Sequence, residues 1–293
     1  MRAVLVGEGM LELSQEGAAW RLGYGGDTLN TAIHLARAGI ETAYLTAVGS
    51  DPFSADLKAK WQGEGLDTSL ILTHPTRGSG LYAINTDERG ERSFTYWRGE
   101  SAAREVFALE AIEPAIEQAS SAELLAFSLI SLAILPQDSR QRLIEIASRV
   151  RANGGMVAFD GNYRSRLWAS QQEAIAARDA AIEIADIGLP TLEDEAALSD
   201  LTSAEEVAAH WQGLGCGETV VKLGAEGCRM PDGAIIAPER ELAPVDTSGA
   251  GDAFNGGYLA ARLRGDLPAA AAHKGHAVAG WTIMRRGAIP PRD

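Results

Sequence analysis

The stretch Asp246-Thr-Ser-Gly-Ala-Gly-Asp252-Ala-Phe-Asn-Gly-Gly-Tyr258 carries the residues best suited to chemistry. Gly249, Ala250 and Gly251 are small and open a run of helical character. A turn of such residues exposes backbone N–H groups beside the positive end of a helix dipole, which makes an anion site. Asp252 falls in the first turn of that helix. Its carboxylate can accept a proton there while neighbouring amides hold negative charge. A base beside an anion hole is what phosphoryl transfer to a hydroxyl requires.

Other stretches could serve the same chemistry. Val220-Val-Lys222-Leu-Gly224-Ala-Glu-Gly227 runs from a strand into a glycine turn, where backbone can pass close to a nucleotide. Gly25-Gly26 precede a helix that carries Asn30 near its start, and glycines there admit a ligand to the main chain. Tyr82 and Tyr96 lie on two arms of a hairpin, and Arg98, two residues beyond Tyr96, shares its side. Asp160-Gly-Asn162-Tyr-Arg164 follows a strand, where open α/β sheets place ligands.

These residues need a frame. Short apolar runs at Ala3–Val6, Thr42–Val48, Leu124–Ser128, Met156–Asp160, Ile187–Leu189 and Thr219–Lys222 predict strands. Helical spacing covers Thr28–Ala38, Phe53–Glu64, Leu109–Ala119, Gln137–Asn153, Gln171–Ala185, Ser203–Gly213 and Ala250–Arg264. The alternation implies a mostly parallel sheet with helices on both faces. Gly80–Arg98 breaks that rhythm: two aromatic-rich strands flank a turn at Asp87–Gly90. With the Leu11–Tyr24 stretch it predicts a small sheet outside the main body, a lid formed by about 11–24 and 79–100. Residues 1–293 read as one α/β domain carrying this lid.

Composition narrows the partners. The chain has 26 basic and 40 acidic residues, a net charge of −14. Such a surface repels phosphate backbones and anionic lipid, so nucleic acid and membrane are excluded as partners. No apolar stretch approaches the ~20 residues of a membrane span. Cys216 and Cys228 form no metal-ligand pattern and suit a reducing, cytoplasmic setting.

The string Asp246–Tyr258 resembles the C-terminal signature of the ribokinase-like (PfkB) carbohydrate kinases. Gly25-Gly26-Asp27-Thr28-Leu29-Asn30-Thr31-Ala32, with Gly39 after it, resembles their N-terminal signature. The resemblance runs over almost the whole chain and implies the ribokinase-like three-layer fold. It makes Asp252 the catalytic base and gives Gly249, Ala250 and Gly251 the transferred phosphoryl group. It places Gly26 and Asn30 on sugar hydroxyls, and Lys222, Gly224, Gly227 and Ala277 at the ATP. Asp246 falls near the phosphates, where relatives hold a monovalent cation. Magnesium is expected with ATP. Glu195 matches the acidic residue of the family's Asn-x-x-Glu motif, which organises magnesium through water. Here the motif reads Leu192-Glu-Asp-Glu195, without the asparagine.

Within the family, Glu12-Leu-Ser, Tyr24-Gly-Gly-Asp-Thr-Leu-Asn, Tyr96-Trp-Arg, Asn162-Tyr-Arg164 and Arg286-Gly-Ala-Ile-Pro resemble the 2-keto-3-deoxygluconate kinases. That implies phosphorylation of a C6 hydroxyl, with Arg98 and Arg164 on the substrate carboxylate and Tyr82 and Tyr96 closing over it. Arginine grips a carboxylate in bidentate fashion, and a neutral sugar has no need of two. The lid is also expected to pair copies into a homo-oligomer. Three rival readings follow from the same residues. They are a kinase of a neutral sugar such as fructose, a catalytically idle sugar sensor, and a dinucleotide-binding dehydrogenase suggested by Gly7-Glu-Gly9. The last fragment lacks the third glycine of that motif.

Overall fold

The structure is a computed structural model and describes residues 2–17, 19–86 and 92–292. Ala3–Val6 (β1) is apolar and buried throughout, as a strand covered on both faces requires. The chain then leaves the main sheet, and Met10–Glu16 (β2) and Ala19–Gly25 (β3) form an antiparallel hairpin. It returns through Asp27–Arg37 (α1), Thr42–Val48 (β4), Pro52–Gly63 (α2) and Ile71–Thr73 (β5). Leu81–Thr86 (β6) and Arg92–Trp97 (β7) make the second expected hairpin. Its turn, Asp87–Gly90, lies outside the described residues.

The α/β alternation then sets in. A 3-10 helix at Ala102–Ala108 leads to Ile112–Ala119 (α3), Leu124–Ser128 (β8), Leu129–Ile134 (α4) and Gln137–Ala152 (α5). Met156–Asp160 (β9), a short 3-10 turn at Ser165–Leu167, Gln171–Ile182 (α6) and Ile187–Gly188 (β10) follow. Leu192–Ser199 (α7), Ala204–Gly213 (α8) and Glu218–Thr219 (β11) complete the main sheet. Val221–Lys222 (β12), Cys228–Arg229 (β13) and Ile235–Ile236 (β14) form a small antiparallel sheet, and Ala250–Leu263 (α9) and Pro268–Ile283 (α10) close the fold.

Two expectations shift. The helix predicted from Leu109 begins at Ile112. Pro114 explains this, because proline has no N–H to give and is tolerated only in a helix's first turn. The strand predicted over Thr219–Lys222 is two strands: β11 ends the parallel sheet, and β12 turns to pair antiparallel with β13.

The main sheet has the order β11-β10-β9-β8-β1-β4-β5, with each pair parallel. Strand order reverses between β8 and β1, and the crevice at such a switch point is where open sheets bind ligands. Apolar side chains pack on both faces of the sheet. Val4, Phe127 and Phe159 lie in one cluster, and Leu5, Tyr44 and Trp61 in the other. The lid has the order β3-β2-β6-β7, with Glu12 opposite Tyr82 and Tyr82 opposite Tyr96.

Candidate active site

Helix α9 begins at Gly249, whose backbone is left-handed with φ +69°. A β-carbon there would sit 2.5 Å from that of Ala288, so the turn demands glycine twice over. Asp246 anchors the turn from below. It accepts from the N–H of Ser248 at 2.9 Å and from that of Gly287 at 2.7 Å. The Ala250 N–H is taken by the Thr247 carbonyl at 3.2 Å. Of the three amides predicted to face an anion, those of Gly249 and Gly251 therefore remain as donors.

Asp252 stands in the first turn of α9 and is half-buried. Asn30 Nδ2 donates to its Oδ2 at 2.8 Å, which joins the two sequence signatures in one contact. Asn30 is placed by the start of α1, where its own N–H bonds the Gly26 carbonyl at 2.7 Å. Gly26 packs so tightly that a β-carbon would lie 2.2 Å from the Glu8 carbonyl oxygen. Burial pushes the Asp252 carboxyl up to about 8; Asp27 and Asp160 add to the rise, while Asn30 and Lys222 oppose it. A carboxyl poised near neutrality is suited to exchange a proton with a hydroxyl.

Lys222 ends β12 and sends Nζ to both oxygens of Asp160, at 3.2 and 3.3 Å, and to Asn255 Oδ1 at 3.2 Å. Asn255 Nδ2 returns a bond of 2.7 Å to Asp160. The ammonium lies 3.7 Å from the position a β-carbon on Gly251 would take, so its charge is beside the anion turn. Gly224 and Gly227 flank the 3-10 turn that joins β12 to β13. Ala277 is exposed on α10, next to His276, whose Nε2 bonds the Ile236 carbonyl of β14 at 2.9 Å.

The lid closes the opposite side. Tyr82 is buried, and its hydroxyl donates to Glu12 and abuts Gly25. Burial and Glu12 raise its pKa well above the usual phenol range, so it remains a donor. Tyr82 and Tyr96 stack with centroids 5.7 Å apart. Arg98 is buried against Glu8, with Nε 2.7 Å from Oε2. Arg164 is half-exposed and pairs with Asp194 at 2.9 Å. A cleft of about 290 Å³ opens between the β2–β3 hairpin and the C-terminal loop, and Glu12, Arg21, Asp246 and Arg286 are among its walls.

Glu195 does not meet the others. It is fully buried, with Arg178 Nη1 on one oxygen at 2.7 Å and Trp211 Nε1 on the other at 3.1 Å. Both oxygens face the core behind Gly161, which leaves none for hydrated magnesium. Asp27, Asp160, Asn255 and Arg166 were not singled out by type and spacing. Asp160 had a usable signal, as the last residue of an apolar run at the carboxyl edge of a sheet. Asp27 and Asn255 sit inside the two signatures, yet only folding brings them to Asp252 and Lys222.

The profile of the pfkB family carbohydrate kinases matches residues 4–293. A 2-dehydro-3-deoxygluconokinase of Escherichia coli K12 is 43% identical over 304 residues, covering 100% of this chain and 98% of that protein. The Haemophilus influenzae protein of the same name is 35% identical, covering 98% of this chain and 95% of its own length. Among solved structures, a PfkB protein from Polaromonas sp. JS666 superposes with a TM-score of 0.85 at 26% identity, covering 97% of this chain and 96% of that one. A Vibrio cholerae fructokinase with fructose, ADP and calcium bound gives a TM-score of 0.84 at 27% identity, covering 98% and 94%. With Asp252, its anion turn and its asparagine clamp in place, the chain belongs to the PfkB family of carbohydrate kinases.

Proposed function

We infer that this chain transfers the γ-phosphoryl group of ATP to the C6 hydroxyl of 2-keto-3-deoxygluconate, giving 2-keto-3-deoxy-6-phosphogluconate. The full-length relatives name the substrate, and the Asn30–Asp252 contact at the head of α9 carries the chemistry. Asp252 in its carboxylate form takes the hydroxyl proton. The oxygen attacks the γ-phosphorus, the bond to the β,γ-bridging oxygen breaks, and ADP leaves. The amides of Gly249 and Gly251, the α9 dipole and the Lys222 ammonium act on the charge that spreads over the transferred group. Gly26 and Asn30 face the sugar hydroxyls, and Gly224, Gly227 and Ala277 belong to the nucleotide side.

Magnesium enters with the nucleotide phosphates, as is usual for this ion. Asp160 and Asp194, which the structure pairs with Lys222 and Arg164, are the carboxylates that would face it, and Glu195 is sealed away. When bound, the ion neutralises phosphate charge. Asp246, which caps the same turn, would be the carboxylate to hold a monovalent cation, and that ion would add to this neutralisation. Among the described residues no helix is long and apolar enough to cross a membrane, and ATP dependence suits a cytoplasmic enzyme. The outer lid face exposes Trp20, Leu22 and Trp97, a surface for a second copy.

The test is a coupled ATP-consumption assay comparing 2-keto-3-deoxygluconate with fructose, ribose and gluconate. The keto-deoxy acid is expected to win in kcat/KM by orders of magnitude. Preference for a neutral sugar would keep the kinase and discard the acid. Turnover of none would favour the sensor reading.

A further inference from the structure

We propose that Arg166 is a specificity-determining residue that grips the acidic end of the substrate and holds the lid shut over it; this rests on the sugar-acid reading above. Arg98 and Arg166 both lie near the Tyr96 ring of the lid, and Arg164 is two residues before Arg166 on the same loop; the charges of the three are not equivalent. Arg98 spends Nε and Nη2 on Glu8, a buried pair whose formal charges cancel. Arg164 spends Nη1 on Asp194 and on the Tyr163 carbonyl. Both keep N–H groups able to donate to a ligand, but neither adds net positive charge. Arg166 makes no ion pair among the described residues. It is the uncompensated cation of the three.

Its position couples that charge to the lid. Arg166 belongs to the 3-10 turn Ser165–Leu167, which follows β9 and is part of the main body. Its guanidinium lies over the Tyr96 ring, with Cζ 4.1 Å from the centroid. Tyr96 belongs to β7 of the lid and stacks on Tyr82, whose hydroxyl reaches Glu12 and Gly25. The contact thus bridges body and lid on the face that looks at the sugar turn. A guanidinium held over a ring by its charge uses none of its N–H groups in that contact. A carboxylate arriving at the Tyr82–Tyr96 face would be met by the remaining donors of Arg98, whose Cζ lies 5.9 Å from the Tyr96 centroid, and by net charge from Arg166. Arg166 already rests on Tyr96, so the group that would receive the acid also ties the lid to the body.

The experiment uses the full chain and the variants Arg166→Ala and Arg166→Lys. KM and kcat are measured for 2-keto-3-deoxygluconate, for ATP, and for fructose at high concentration. Arg166 is exposed, and its loss should leave the fold intact, as a thermal melt will record. For Arg166→Ala the KM of the acid is expected to rise about tenfold or more, the size of one charge-assisted hydrogen bond. KM for ATP should stay the same, and any slow turnover of fructose should fall far less than turnover of the acid, since a neutral sugar loses only the lid contact. Arg166→Lys should recover part of the affinity, since it restores the charge without the planar stack. An unchanged KM for the acid in Arg166→Ala would overturn the proposal, as would an equal loss on acid and fructose. If the wild type itself turns over fructose and ignores the acid, the sugar-acid reading falls and takes the role of Arg166 with it. That outcome is recognised from the wild-type data alone.

Discussion

The α9 turn and the lid face each other across the same cleft, yet they are built on opposite principles. The turn is contiguous in sequence and works through backbone: a left-handed glycine, two open amides and one carboxyl. The lid is assembled from four strands and works through side chains, several of which already hold one another. Chemistry common to a family fits in a rigid turn, whereas substrate choice fits in a surface whose residues can change one at a time. The turn should therefore fail in kcat when altered, and the lid in stability or KM.

The largest effect belongs to the turn. Asp252→Asn keeps the size of the side chain and removes the base, so kcat should drop about 10³-fold. A steady-state assay with saturating ATP checks this. Stability should move the other way. The folded pKa of Asp252 is about 8, above the ordinary carboxylate value. Its contribution to stability is complete in acid, below that ordinary value, and is lost as pH rises through about 8. At pH 9 the asparagine variant should melt higher than the wild type. A lower melting temperature would show that the turn needs the charge for its fold.

Arg98→Ala sharpens the contrast from the lid side. Arg98 covers Glu8, which is buried and whose Oε1 has no hydrogen-bond partner among the described residues. Removing the arginine leaves an unpaired buried carboxylate, which typically destabilises by about 3 kcal/mol or more. Denaturant unfolding should record that loss before kinetics do. A stable Arg98→Ala protein with only a raised KM would show that Arg98 acts on the ligand and not as the partner Glu8 needs.

A pH profile probes the ground between the two regions. Asp252 must be ionised to act, so kcat/KM should climb with pH and level off above about 8. Asp27 receives a hydrogen bond from Asn162 at 3.1 Å, and its charge helps hold the Asp252 carboxyl up. Asp27→Asn should move the acidic limb to lower pH. A limb that stays in place would assign the shift to burial and Asp160 alone.

What could be read from the chain follows the same division. The buried strands and the glycine turn that opens α9 were legible because short apolar runs and glycine strings report local geometry. The lid hairpins showed as a change of texture, and their edges fall close to the predicted ones. The charge balance was not legible. Arg98 and Glu8, or Lys222 and Asp160, are far apart in the chain and meet only when strand ends converge. Glu195 misled for the same reason: its motif position suggested solvent and metal, while Arg178 and Trp211 claim it for the core.

The smallest effect is expected at Arg164. Its side chain is half-exposed, and its pairing with Asp194 is of the surface kind, worth about 0–1 kcal/mol. Arg164→Ala should leave the melting temperature almost unchanged and raise KM for the acid only severalfold, since a compensated arginine offers a hydrogen bond rather than net charge. Burial raises the Asp194 carboxyl while Arg164 holds it down, so the variant should also leave Asp194 easier to protonate. A larger KM change for Arg164→Ala than for Arg166→Ala would reverse the order argued from their pairing. It would mean that Arg164 exchanges Asp194 for the substrate carboxylate when substrate binds.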